Sequence, residues 1–231
     1  MKINLKQILK NFFRKPDHFK KSIIVKHKWY GNTYGGFYIC PDFLNENSII
    51  YSFGIGEDIS FDNDIIRKHN CCVFGFDPTP KSISFVKNNN LYEKFKFFGY
   101  GIGTKNEYVD FFLPINPEYV SGSVIKQKNI DISNNICVQM KTLKDIMNEL
   151  GHKHIDILKL DIEGSEYDVI ENILNDKISI TQITIEFHDR FMENGSLKSK
   201  QSIDKLKSHG YEIFAISDSF EEISFINKSV F

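Results

Sequence analysis

Residues 49–58 read Ile49-Ile50-Tyr51-Ser52-Phe53-Gly54-Ile55-Gly56-Glu57-Asp58, and this stretch decides the fold. Its apolar first half predicts a buried β-strand, and the Gly-x-Gly sequence that follows predicts a tight turn. About twenty residues later, a second apolar segment, residues 72–76, ends on Asp77. In an open α/β sheet, this layout places a nucleoside-sized ligand over the strand ends, where the acid accepts hydrogen bonds from a ribose diol.

The glycine turn separates two classes of nucleoside cofactor, nicotinamide dinucleotides and S-adenosylmethionine. It does not complete Gly-x-Gly-x-x-Gly, because position 59 is Ile59. Glu57 and Asp58 stand where the next helix should begin, and a dinucleotide needs that helix end free of acids to hold its pyrophosphate. The two acids would instead attract the amino group or sulfonium of S-adenosylmethionine, although Asp58 also suits an ordinary helix N-cap. The turn therefore favours S-adenosylmethionine over a nicotinamide cofactor.

From residue 49 onward, predicted strands alternate with predicted helices. The predicted strands are 49–53, 71–77, 95–100, 107–113, 136–140, 155–160, 180–187, 211–217 and 222–226. The predicted helices are 58–69, 80–89, 142–150, 165–174 and 198–209, and residues 114–134 are predicted as a loop. This order indicates an α/β fold with a mostly parallel sheet, helices on both faces and an antiparallel hairpin at the C-terminus. That ending favours a methyltransferase sheet over a dehydrogenase sheet.

Composition narrows the class of protein. The 231 residues carry 29 basic and 30 acidic side chains, so the net charge of −1 favours no nucleic-acid partner. No stretch approaches the roughly 20 apolar residues of a membrane span, so we expect no stable membrane insertion. Four cysteines without a Cys-x-x-Cys pair indicate a reduced, cytoplasmic setting.

We divide the chain into residues 1–48, an N-terminal helix with an aromatic segment, and residues 49–231, the cofactor-binding domain. Apolar residues from Leu5 to Phe13 recur at helical spacing between lysines. This helix would dock on its own domain or on a second copy of the chain, giving a homo-oligomer, or it would lie on a membrane surface or an anionic ligand. The aromatic segment either folds over the site or packs as a plain hairpin on the core. Its candidate substrate-binding residues are Trp29, Tyr30, Tyr34 and Tyr38.

Four titratable side chains follow two neighbouring predicted strands. They are Asp161, Glu163, Glu186 and His188. Because the carboxyl ends of parallel strands meet at one edge of a sheet, these groups should converge there. They suit either a base for a hydroxyl group or the ligands of a divalent cation, for which Asp161, Glu186 and His188 are the candidates. The alternative is structural: the acids cap helices and pair with Lys159 or Arg190.

Four segments together resemble the FkbM-type family of class I S-adenosylmethionine-dependent methyltransferases. They are residues 52–62, 74–80, 158–170 and 185–188. The resemblance implies a Rossmann-like seven-stranded sheet and O-methylation, commonly of sugars or of natural-product hydroxyls. It implies that Asp161 faces the methyl group. It also implies a set of cofactor-binding residues: Phe53, Gly54, Gly56, Asp58, Ser60, Asp77, Pro78, Tyr100, Gly101, Ile102 and Ser123.

These observations predict an O-methyltransferase that acts on a sugar hydroxyl, on a nucleotide-activated sugar or a surface glycan precursor. His188 or Asp161 would be the base, and Glu163 and Glu186 would orient the acceptor or a metal ion. Two alternatives stay open: a catalytically silent scaffold that binds S-adenosylmethionine, and a methyltransferase of a non-sugar small molecule.

Overall fold

The computed structural model describes residues 18–114 and 130–231. Its strands are β1 (Lys28–Tyr30), β2 (Phe37–Ile39), β3 (Ile49–Phe53), β4 (Cys72–Phe76), β5 (Phe95–Phe98), β6 (Gly101–Ile102), β7 (Glu107–Pro114), β8 (Ile130–Lys141), β9 (Ile155–Leu160), β10 (Ile180–Glu186), β11 (Tyr211–Ile216) and β12 (Glu222–Asn227). Its α-helices are α1 (Ser60–His69), α2 (Pro80–Asn88), α3 (Leu143–Leu150), α4 (Glu166–Asn175) and α5 (Gly195–Ser208). The predicted N-terminal helix and Ser123 lie outside these described ranges.

The main sheet has seven strands in the order β11-β12-β10-β9-β3-β4-β5. Strands β10, β9, β3, β4 and β5 pair in parallel, and β12 is antiparallel to both of its neighbours. The predicted fold class and its C-terminal hairpin are therefore confirmed. The chain leaves β3 toward β4 on one side and returns as β9 on the other, so a crevice opens at the carboxyl ends of these strands.

The two faces of the sheet bury different side chains, because successive residues of a strand point to opposite faces. Ile50 packs in one cluster with residues of α1, α2 and the β1–β2 hairpin. Tyr51 and Phe53 pack in a second cluster with residues of α3, α4 and α5. Helices therefore cover both faces, as predicted.

The β1–β2 hairpin shares its core with the domain that follows it. Tyr30, Phe37 and Ile39 are buried in the same cluster as Ile50 and Ile65. The prediction that residues 1–48 form a separate unit is not tested by this packing, but residues 28–39 are attached to the sheet through a common apolar layer.

Nine strands were predicted, but the main sheet has seven. The other two predicted strands, 107–113 and 136–140, lie in a second sheet with the order β6-β8-β7. Strand β8 begins at Ile130, inside the segment 114–134 that we predicted as a loop. Leu113 pairs with Asp131 and Pro114 with Ile130, after a register shift. Polar residues such as Asn and Asp disfavour strands, so sequence alone misses the start of β8, whereas backbone pairing with β7 extends it.

Two helix starts differ from prediction by more than one residue. Helix α1 begins at Ser60 rather than at residue 58, because the Asp58 carboxylate accepts a hydrogen bond from the Ser60 backbone N–H at 2.8 Å. Helix α5 begins at Gly195 rather than at residue 198. None of the helices in the described ranges has the length and apolar character needed to span a membrane.

Candidate active site

The crevice at the carboxyl ends of β3, β4 and β9 is a cavity of about 460 Å³. This volume lies within the roughly 300–1,000 Å³ that ligand sites occupy. Its wall is formed by Tyr34, Gly35, Phe53, Gly54, Ile55, Gly56, Glu57, Asp58, Phe76, Asp77, Pro78, Thr79, Gly101, Ile102, Phe111, Met140, Asp161, Ile162, Glu163 and Ser165.

The glycine turn after β3 forms the floor of the cavity. Gly54 has φ +80° and Gly56 has φ +55°. Residues other than glycine rarely adopt this left-handed backbone conformation. A Cβ atom on Gly54 would lie 1.7 Å from the backbone oxygen of Asp161. The turn therefore needs glycine at residue 54, and it brings the cavity floor into contact with the backbone of Asp161.

Asp77 holds this turn from the neighbouring strand β4. One carboxylate oxygen accepts a hydrogen bond from the backbone N–H of Gly56 at 2.9 Å. The other accepts from the backbone N–H and the hydroxyl of Thr79, at 2.8 and 2.6 Å. The carboxylate is 5% exposed and lines the cavity, so it is placed to accept from a ribose while it braces the turn.

The loop of the β1–β2 hairpin, residues 31–36, closes one side of the cavity. Asn32 donates from its side chain to Asp58 at 2.7 Å, and its backbone N–H donates to the Ser60 hydroxyl at 2.9 Å. The side-chain oxygen of Asn32 accepts from the backbone N–H groups of Tyr34 and Gly35. Asp58 therefore links the cavity wall to this loop as well as capping α1.

The four predicted substrate-binding aromatics separate in the structure. Tyr34 lines the cavity and is 88% exposed. Tyr30 is buried and its hydroxyl pairs with His69 at 2.8 Å. Trp29 donates to the backbone oxygen of Asn32 and packs edge-on against Tyr38. Of these four aromatic residues, only Tyr34 lines the cavity.

The opposite wall comes from the segment after β5. Gly101 and Ile102, two of the predicted cofactor-binding residues, line the cavity. A Cβ atom on Gly101 would lie 2.7 Å from the Met140 sulfur, so this wall is closely packed. Tyr100 does not line the cavity; its ring packs against Phe76 and Phe98.

His188 lies behind the cavity and not on its wall. It is 1% exposed, and its Nδ1 atom lies 2.6 Å from the Glu166 carboxylate. Its Nε2 atom lies 3.3 Å from Glu186, 3.4 Å from Glu163 and 3.7 Å from Asp161. The structure therefore brings together the four titratable residues that the sequence predicted, and it adds Glu166 to them.

The charges in this cluster shift one another's pKa. Burial raises the pKa of Asp161 and the Glu186 carboxylate adds to the increase, while Lys159 and His188 offset only part of it. Burial alone would raise the pKa of Glu186, but hydrogen bonds and charges from His188 and Arg190 outweigh burial and lower it. Burial opposes protonation of His188, yet Glu166 and the other carboxylates raise its pKa well above the ordinary value. The carboxylates around His188 therefore favour its imidazolium form.

Two buried residues, Lys159 and Glu166, were not predicted from the sequence as members of the site. Lys159 is 4% exposed, donates to the Gly54 carbonyl at 2.9 Å and lies 3.5 Å from Asp161. Glu166 accepts from the backbone N–H of Gly164 at 3.0 Å as well as facing His188. Two features of the sequence could have indicated these roles: a lysine inside an apolar strand, and a further acid two residues after Gly164. Charged residues are rarely buried without a partner.

The predicted metal ligands also converge. Asp161, Glu186 and His188 offer ligand atoms within 4.8 Å of one another. One imidazole and two carboxylates suit a divalent cation, and the Glu166 carboxylate on Nδ1 is the kind of partner that orients a metal-bound histidine. The same carboxylates also surround a protonated His188. The donor set therefore fits either a divalent cation or a proton on His188.

The sequence matches the model of one protein family over most of its length. The model described as the methyltransferase FkbM domain matches residues 46–213, which include β3, the glycine turn, Asp77 and the four titratable residues. The chain belongs to the FkbM methyltransferase family. Its FkbM domain is an S-adenosylmethionine-dependent methyltransferase domain, with S-adenosylmethionine as its cofactor.

Curated relatives extend the comparison. The chain is 26% identical over 207 residues to the human probable methyltransferase-like protein 24, an alignment that covers 84% of this chain and 50% of the relative. It is 26% identical over 150 residues to the 2-O-methyltransferase NoeI of Sinorhizobium fredii, which covers 59% of this chain and 61% of NoeI. The chain thus spans about half to three fifths of the length of these relatives.

Among solved structures, the chain is similar to the fibrillarin pre-rRNA processing protein of Methanococcus jannaschii. The two share 12% identity with a TM-score of 0.45, and the match covers 93% of this chain and 86% of that one.

Proposed function

We propose that the chain transfers a methyl group from S-adenosylmethionine to a hydroxyl group of a sugar, carried by a nucleotide-activated sugar or a glycan precursor. The observation that carries this proposal is the position of Asp161. Its backbone closes against Gly54 of the glycine turn, and the residue lines the same cavity. A carboxylate thereby stands beside the turn over which the cofactor lies.

Asp161 is suited to accept the proton of the hydroxyl group. Its raised pKa brings a carboxylate closer to neutrality, where a general base is most effective. S-adenosylmethionine supplies an electrophilic methyl group. The acceptor oxygen bonds to the methyl carbon, the carbon–sulfur bond breaks with its electron pair left on sulfur, and the hydroxyl proton passes to Asp161.

His188 serves as a positioning residue in this proposal. An imidazolium has no free nitrogen to accept a proton, and the ring is buried behind the cavity. It holds Glu163 and Asp161 from behind through Nε2, while Glu166 holds its Nδ1 atom. Asp161 therefore takes the role of base, which the sequence left open between these two residues.

The proposed cofactor site uses the turn and its braces. Gly54 and Gly56 admit the cofactor to the backbone, and Asp77 accepts hydrogen bonds from the ribose. Gly101 and Ile102 face the base, and Asp58 lies toward the cationic end. Support for this arrangement comes from the common cavity that these residues line.

The sugar acceptor is supported by the part of the wall that this cofactor arrangement leaves free. Tyr34 and Phe111 offer aromatic surface for the apolar face of a sugar ring, and Glu163 offers a carboxylate for its hydroxyl groups. The 2-O-methyltransferase name of NoeI agrees with methyl transfer to oxygen. Should a metal ion bind, Asp161, Glu186 and His188 would hold it, and it would acidify the acceptor hydroxyl.

Calorimetric titration with S-adenosylmethionine and, separately, with NADH tests the cofactor. We expect binding in the micromolar range for S-adenosylmethionine alone, and binding of NADH alone would overturn the proposal. Assays with a panel of sugars then follow release of S-adenosylhomocysteine. Binding without turnover across the panel would favour the scaffold alternative, and turnover of non-sugar hydroxyls alone would favour a different small-molecule acceptor.

Asp161→Asn tests the base directly, with Asp168→Asn on the exposed face of α4 as the matched control. We expect Asp161→Asn to lower kcat by about 100-fold or more, as is typical for loss of a general base, while S-adenosylmethionine affinity changes much less. Equal kcat for the two variants would remove Asp161 from the mechanism.

A further inference from the structure

The cavity wall is strongly acidic. Five of its residues carry carboxylates: Glu57, Asp58, Asp77, Asp161 and Glu163. Within residues 18–114 and 130–231, the wall contains no lysine, arginine or histidine. A cleft lined by one sign of charge concentrates ligands of the opposite sign and repels ligands of the same sign.

Among the residues that the structure describes, three cations beside the acids of this wall are already engaged with other groups. Lys159 is buried on the Gly54 carbonyl and beside Asp161. Arg190 lies 3.1 Å from Glu186 and 3.3 Å from Glu221. His188 is enclosed by carboxylates and is 1% exposed. These three groups balance charge inside the protein and do not reach a ligand in the cavity.

The acids differ in the contacts that they already make. Asp77 and Asp58 accept hydrogen bonds from the glycine turn, from Asn32 and from the start of α1. The cofactor, which is itself a cation, offsets part of their charge. In the proposed function, Asp161 and Glu163, which follow β9, face the acceptor, and apolar side chains such as Phe111 line the same cavity.

We infer that the acceptor is a saccharide without phosphate, and that these carboxylates discriminate against sugar phosphates and nucleotide-diphosphate sugars. The inference rests on the proposed function, which allows a nucleotide-activated sugar or a glycan precursor. Of these, it selects an acceptor that carries no phosphate. Hydroxyl groups of an uncharged sugar donate hydrogen bonds to Asp161 and Glu163, whereas a phosphate brings a second anion beside them. Juxtaposed like charges strongly suppress binding.

The test uses acceptors that differ only in charge. Each of several hexoses and deoxyhexoses is offered as its methyl glycoside, its 1-phosphate and its nucleotide-diphosphate conjugate, and kcat/KM is measured at low and high salt. We expect methyl glycosides to exceed both phosphate-bearing forms by about tenfold or more at low salt, with a smaller ratio at high salt, because salt screens the repulsion.

A matched pair of variants locates the charge that discriminates. Glu163→Gln removes one carboxylate from the wall, and Glu171→Gln removes one from the exposed face of α4, where it pairs with Lys205. We expect Glu163→Gln to reduce the preference for the methyl glycoside, since kcat/KM of the phosphate-bearing forms rises relative to that of the glycoside. Glu171→Gln should leave the preference unchanged.

The outcomes separate this inference from the proposed function. If a phosphate-bearing acceptor is methylated as well as the glycoside or better, the inference is wrong and the proposed function stands. If S-adenosylmethionine binds but no sugar of any charge is methylated, the proposed function fails and the inference fails with it.

Discussion

At the scale of single residues, Gly54 has a left-handed backbone conformation at the point where the glycine turn contacts the Asp161 backbone. Gly54→Ala places a Cβ atom 1.7 Å from the Asp161 backbone oxygen at φ +80°. Gly151→Ala is a matched control, because Gly151 has φ +73° and a Cβ there meets no atom within 4 Å. We expect Gly151→Ala to cost about 1 kcal/mol of stability from backbone strain alone.

Gly54→Ala should cost several times more, or abolish S-adenosylmethionine binding in a protein that still folds. Urea unfolding and calorimetric titration of both variants measure the two effects. Equal behaviour of the two variants would show that the turn relaxes without consequence, and would separate Asp161 from the cofactor loop.

Asp77 gives a second prediction at this scale. Asp77→Asn removes the charge that accepts hydrogen bonds from Gly56 and Thr79, and the one proposed to accept from the ribose. Hydrogen bonds to a charged group contribute about 1.5–3 kcal/mol, so S-adenosylmethionine affinity should fall by roughly 10- to 100-fold. Thr79→Val, which removes one donor and keeps the carboxylate, should have a smaller effect. Unchanged affinity in Asp77→Asn would contradict the ribose assignment.

His188 predicts a dependence of stability on pH. Its pKa is raised in the folded state, so the folded protein holds the proton more tightly than the unfolded chain. The resulting stability is fully present below the unfolded pKa of about 6.5 and is lost as pH rises toward the folded pKa. In that window the free energy of unfolding should fall by up to about 1.4 kcal/mol per pH unit.

His188→Gln removes the titrating group. The difference in unfolding free energy between wild type and variant should therefore shrink as pH rises above about 6.5, in urea titrations at several pH values. A difference that stays constant with pH would mean that His188 is not held as an imidazolium.

At the scale of elements, the β1–β2 hairpin and the start of α1 form one unit through Asn32. Asn32→Ala removes its bond to Asp58 and the bonds that shape residues 34 and 35. We expect the hairpin loop to loosen over the cavity, so that KM for the sugar rises several-fold while the main sheet keeps its stability. Thr33→Ala, at an exposed position of the same loop, is the control. Identical kinetics of the two variants would show that the loop does not form part of the binding site.

At the scale of the whole molecule, charge balance decides whether the buried cluster needs a metal ion. Lys159, Arg190 and the His188 imidazolium lie among five acids: Asp161, Glu163, Glu166, Glu186 and Glu221. These three cations compensate the greater part of the acidic charge. We therefore expect methyl transfer to persist after treatment with EDTA. Loss of turnover that is restored by Mg²⁺ or Mn²⁺ would instead assign Asp161, Glu186 and His188 as metal ligands.

The sequence alone determined the fold and the position of the site. Period-two and helical patterns identified the seven strands of the main sheet, and the Gly54-Ile55-Gly56 turn with Asp77 located the edge of the sheet where the cavity opens, because these features depend on neighbours in the chain. The resemblance implied seven strands, whereas their order in the sheet came from the structure. Local polarity, in contrast, concealed the first residues of β8, which depend on pairing with β7.

Only the tertiary structure decided the roles of the charged residues. Asp161, Glu163, Glu186 and His188 were all predicted, yet sequence spacing does not show which of them is buried. The fold places His188 behind the acids on Glu166 and leaves Asp161 on the cavity wall. It likewise turns Tyr34 toward the cavity and Tyr30 into the core. Burial and long-range charge arise from segments distant in the chain, and for that reason they appear only once the chain has folded.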